Sequence, residues 1–138
     1  MPTGSLFEIV LVALAGMLGA LSRYGITIFA KWIQGAPPPN SDHFPYGTLG
    51  INVAGCFLIG YLATLFRGNM IQPAPYYALT AGFLGAFTTF SAFGLDTFDL
   101  ADKGQWGEAV ANVVLSLGLG LAAVGAGMWL GRLTLGTE

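Results

Sequence analysis

The chain has 138 residues, 54% hydrophobic and only 9% charged, with a formal net charge of −2. Soluble domains carry about 25% charged residues and disordered chains pair low hydrophobicity with high charge, so both classes are excluded. There is no basic stripe to meet nucleic acid, one Cys excludes an internal disulfide, and one His beside it argues against a zinc site.

The composition is that of an integral membrane protein. Crossing a bilayer takes about 20 mostly apolar residues. Four stretches meet that length, at about 6–32, 46–66, 76–100 and 106–130. They predict one all-α transmembrane domain over residues 1–138. Its short connections make sequential helices antiparallel neighbours in a four-helix bundle. No Lys or Arg precedes the first span, so it lacks the basic start of a signal peptide and is expected to be retained. The connections carry breakers: Pro37, Pro38, Pro39 and Asn40 in the first, Gln72-Pro73-Ala74-Pro75 in the second and Asp102-Lys103-Gly104 in the third.

Lys and Arg flank the spans evenly. Arg67 and Arg132 fall on the side of the N-terminus, Lys31 and Lys103 on the other. The positive-inside rule therefore gives no orientation. Two readings stay open: a small protein with few charges, or a chain that inserts both ways and assembles as an antiparallel dimer. A pore needs more wall than one four-helix protomer offers, which favours the dimer.

In the first span, Arg23 either snorkels to the interface or lends positive potential to an anion vestibule. Gly16-x-x-x-Ala20, Gly50-x-x-x-Ala54 and Gly127-x-x-x-Gly131 predict close helix packing. In the second span Thr48, Asn52 and Cys56 are spaced by four and share a face. Asn52 is costly in lipid without partners; it either glues helices or faces a polar path. The fourth span repeats the spacing with Asn112, Ser116 and Gly120, and Glu108 continues that face.

The third span holds Gly82, Gly85, Thr88, Thr89 and Ser91 near its centre. Gly and β-branched Thr weaken helix, so the span either breaks here or continues as one helix whose small residues serve packing. Carbonyls freed at membrane depth must be buried or line a cavity, and such carbonyls commonly coordinate a cation. Phe90 and Phe93 then lie on one side of the following helix, where their ring edges, partially positive, can meet an anion. Asp96 follows on the same side. This inventory is rich in donors and has no acidic cluster for a proton relay. It points to a small membrane protein with a path for an anion.

Three segments carry a family resemblance: Gly19-Ala20-x-x-Arg23-Tyr24, Gly47-Thr48-Leu49-x-x-Asn52-x-x-Gly55, and Gly82-Phe83-x-Gly85-x-x-Thr88-Thr89-Phe90-Ser91-x-Phe93. In these the chain resembles the CrcB/Fluc fluoride channels, across all four spans and in the same order. The resemblance implies a dual-topology antiparallel homodimer with a broken third helix, or a pairing with a homologous subunit. It implies passive export of cytoplasmic fluoride across a prokaryotic inner membrane, and no enzymatic activity. Asn52, Phe90 and Phe93 would lie on the fluoride path, with Thr48, Ser116 and Asn112 in its polar lining and Arg23 at the vestibule. Backbone carbonyls of Gly85 and Thr88 from both subunits would hold one structural sodium ion.

The chain departs from the family in the fourth-helix polar row, where Asn112 stands for a frequent Tyr and Gly120 for a Ser. Asp96 replaces a frequent Glu, and Ala92 a Thr or Ser. Two other classes compete. A proton-coupled multidrug exporter would need an acid in the middle of the first span, and Glu8 lies near its start. A membrane scaffold would explain the glycines but not the aligned Asn, Ser and Phe rows.

Overall fold

The computed structural model describes residues 4–36 and 41–136, and Pro37, Pro38, Pro39 and Asn40 of the proline-rich loop lie outside them. Four stretches are helical, long and apolar enough to cross a membrane. The first two are α1 (Leu6–Gln34) and α2 (Tyr46–Arg67). The third is composite. It runs through α3 (Pro73–Tyr77), a π-helical segment (Ala78–Leu84) and the short α4 (Gly85–Phe87), then resumes as α5 (Phe90–Asp102). The fourth is α6 (Trp106–Leu135).

The ends have local causes. Ser5 caps α1 by accepting from the Glu8 N–H, and the Glu8 carboxylate accepts from the Gly4 N–H. This reciprocal pairing satisfies donors that a helix start leaves open. It also ties Glu8 to the first turn of α1, away from the middle of the span. Pro73 starts α3 at a position where its missing N–H costs nothing.

Close backbone approach holds the bundle together. α2 packs most extensively on α6, α1 lies on the π-helical segment and α4, and α5 lies on α6. A Cβ placed on Gly127 would run into the Phe57 carbonyl, and one on Gly60 into the Val124 carbonyl. Small residues are what permit such contacts between membrane helices, where lipid offers no hydrophobic drive for association. Gly131 sits against Thr64 in the same seam, and Gly16 faces Gly82. Gly50 and Ala54, by contrast, are exposed on the chain. Ile51, Leu84 and Phe87 form the core beside the break, with Phe83, Ile59 and Leu62 packed around them.

The third span breaks at Thr88 and Thr89. Thr88 has φ −79° and ψ 158°, and Thr89 has φ −151° and ψ 117°, both extended. The π-helical segment that precedes the break was not foreseen from the composition. Such segments are rare and concentrate at functional sites.

Candidate functional site

The site is built around that break. Two consecutive extended residues interrupt the ladder of i to i−4 hydrogen bonds, and at membrane depth no water replaces them. Asn52 on α2 takes over. Its Oδ1 accepts from the Thr89 N–H at 2.8 Å, and its Nδ2 donates to the Thr89 carbonyl at 3.0 Å. One side-chain amide thus satisfies both backbone groups of one residue. The spacing reading left Asn52 between glue and pore donor. Here it is tied to the broken backbone, and one of its two Nδ2 hydrogens is engaged in doing so.

The threonines complete the break. Thr88 closes α4 by donating both its N–H and its hydroxyl to the Leu84 carbonyl, at 2.9 and 2.8 Å. Thr89 opens α5, its Oγ1 accepting from the Ala92 N–H at 3.2 Å and lying 3.2 Å from Ser91 Oγ. Gly55 makes room for this corner, because any Cβ there would collide with Thr88 Cγ2.

The break also changes the Gly85 carbonyl. In a continuous helix its partner would be the Thr89 N–H, but that N–H points to Asn52. Gly85 is exposed and Thr88 half-buried. Neutral carbonyl oxygens released at membrane depth form a donor set suited to a hard monovalent cation. The Gly85 carbonyl, one of the two expected to hold sodium, therefore fits such an ion in chemistry.

Phe90 and Phe93 project from the first turn of α5. Their ring centroids lie 5.5 Å apart at 41°. Phe90 is 84% exposed and Phe93 half-buried. One turn further on, Asp96 Oδ2 accepts from the Thr48 hydroxyl at 2.7 Å. Thr48 and Asn52, four apart on α2, thus grip α5 and the residue before it.

The fourth-helix row lies elsewhere. Asn112 is 1% exposed, wedged between α5 and α6. Its Nδ2 donates to Thr97 Oγ1 at 2.8 Å, and Thr97 donates in turn to the Phe93 carbonyl at 2.7 Å. Ser116 makes a long 3.5 Å contact to Asn112 Oδ1. In the single chain, then, Asn112 lies buried inside the α5–α6 seam, where two partly polar helices meet. Glu108 is exposed near the start of α6.

A cavity of about 680 Å³ opens beside the break. Thr48, Thr89 and Ala92 line it, together with Arg23, Asp96 and Asp99. Arg23 is half-buried and has no ion-pair partner among the described residues. Asp42 and His43 also line the cavity. Nothing in the sequence of residues 41–45 signals that part of this segment lines a helical cleft.

Comparison with known proteins adds an independent line. The family model described as "CrcB-like protein, Camphor Resistance (CrcB)" matches residues 10–128. A protein of Desulforapulum autotrophicum named "Fluoride-specific ion channel FluC" is 42% identical over 127 residues, covering 91% of this chain and 97% of that protein. Proteins of the same name from Acidobacterium capsulatum and Paracoccus denitrificans are each 46% identical. The former match covers 88% of this chain and 93% of the relative, the latter 88% and 91%. With a family match that spans the break and all four helices, the chain belongs to the CrcB-like family.

Proposed function

We propose that this chain is a fluoride-selective passive channel that works as an antiparallel homodimer, multi-pass in a prokaryotic inner membrane, and lowers cytoplasmic fluoride. The observation that carries the reading is the grip of Asn52 on the Thr89 backbone. It holds open a break in a membrane helix directly beside two phenylalanines and a cavity. The relatives named as fluoride-specific channels supply the ion.

The chemistry follows from the donors. An anion that leaves water must exchange its hydration shell for protein donors. The second Nδ2 hydrogen of Asn52 is one donor, held in place by the first. The ring edges of Phe90 and Phe93 carry partial positive charge and face an anion without trapping it. Weak, successive sites of this kind let an ion enter and leave. Thr48 and Asp96 set the face of α5, Asn112 and Ser116 back it from α6, and Arg23 raises the anion concentration in the cavity. The Gly85 and Thr88 carbonyls of both subunits would hold one sodium ion, which supplies fixed positive charge between two pores.

The test is ion efflux from liposomes that hold the purified protein, read with a fluoride electrode and then a chloride electrode. Rapid fluoride loss with chloride retained is the expected result. A well-folded dimer that releases no fluoride, alone or with a homologous partner chain, overturns the reading.

A further inference from the structure

The segment after the proline-rich loop is strapped across the end of the bundle. The Asp42 N–H donates to Gln105 Oε1 at 2.7 Å, and Gln105 Nε2 donates back to the Asp42 carbonyl at 3.2 Å. Gln105 immediately precedes α6, so this pair ties the first connection to the last. Gln34 Nε2 adds a bond to the Phe44 carbonyl at 2.9 Å, and His43 Nε2 lies 3.2 Å from the Gly35 carbonyl. The strap needs no charge to stay in place.

Its charges do something else. Asp42 Oδ2 pairs with Lys103 Nζ at 2.6 Å, both side chains being partly exposed. An exposed pair of this kind adds little stability. Its position is what matters, because Asp42 lies on the wall of the 680 Å³ cavity that reaches Thr89. The basic side chains on that wall are Arg23 and Lys31, and the acidic ones are Asp42, Asp96 and Asp99. Left alone, this lining has an excess of one negative charge, which opposes an entering anion. Lys103, drawn against Asp42, brings it to balance.

We propose that the Asp42–Lys103 pair sets the electrostatic potential in the cavity and thereby the rate at which the anion enters. This inference rests on the channel reading. Lys103 acts by cancelling a carboxylate, and the Gln105 bonds to the Asp42 backbone keep that residue on the cavity wall. Charges lining a low-dielectric cleft focus the field and change ion entry rates, and salt screens the effect.

The sign of the effect makes it testable. Single-channel fluoride conductance is recorded in planar bilayers at about 10 mM salt, where screening reaches only ~30 Å, and again at about 1 M, where it reaches ~3 Å. At low salt Asp42→Asn raises conductance roughly threefold and Lys103→Met lowers it roughly threefold. The double variant, with the lining again balanced, conducts like the unaltered chain. At high salt all four coincide. A merely structural clasp predicts otherwise: both single variants shift the same way, the double variant is no better, and salt changes nothing. Either that pattern or four equal conductances at low salt overturns the inference while leaving the channel reading in place. An unaltered chain that passes no fluoride overturns the channel reading first. Thermal melting of each purified variant confirms that folded protein is being compared.

Discussion

Asn52 and Thr89, 37 residues apart, exchange two hydrogen bonds through one side-chain amide and one backbone unit. The pairing explains how a membrane helix stays open without exposing its backbone to lipid. It also sends the Thr89 N–H away from the Gly85 carbonyl. The open backbone at the centre of the bundle thus depends on a residue in another helix.

Asn52→Asp keeps an acceptor for the Thr89 N–H but loses the donor to its carbonyl. It also places a negative charge beside the proposed anion path. The expected outcome is loss of fluoride efflux from liposomes, with a stability loss of about 1–3 kcal/mol for the orphaned carbonyl. Normal efflux from this variant would remove Asn52 from the pore.

Phe90 is largely exposed on the single chain, so changing it costs the fold little. Phe90→Ile and Phe93→Ile are expected to slow fluoride efflux at least tenfold, a barrier increase of about 1.4 kcal/mol. Size-exclusion profiles should match that of the unaltered chain. Unchanged efflux in both would assign the rings to packing or lipid contact.

Gly55→Ala drives a methyl group into Thr88 Cγ2. The expected destabilisation is about 1–3 kcal/mol, the usual range for overpacking, read as a lower melting temperature in detergent. Thr88→Ser removes the colliding methyl yet keeps a hydroxyl for the Leu84 carbonyl. The pair Gly55→Ala/Thr88→Ser should therefore recover most of the loss. A pair no more stable than Gly55→Ala alone would mean that the corner is not governed by this contact.

Asn52 and Asn112 show how far a linear reading reaches. Each begins or belongs to a polar row spaced by four, and spacing alone gives the two the same standing. The fold sends Asn52 to a broken backbone and Asn112 into the α5–α6 seam against Thr97. Cys56, on the face of Thr48 and Asn52, instead meets the Gly120 position of α6. Likewise Gly60, absent from the small-residue motifs, is as tightly packed as Gly127, while the motif Gly50-x-x-x-Ala54 is exposed on the chain. Helical spacing defines a face but not which neighbour the face meets.

The membrane class, the number of spans and the weak point of the third one are legible in the linear chain. These follow from apolar length and from the helix preferences of Gly and Thr, which act locally. Where the chain opens, which amide holds it and how the strap reaches the cavity emerge only when the helices pack. Those depend on contacts between residues such as Asn52 and Thr89 or Asp42 and Gln105, far apart in the chain. Their hydrogen bonds exist only once the helices have packed at one register, and no local propensity encodes that register.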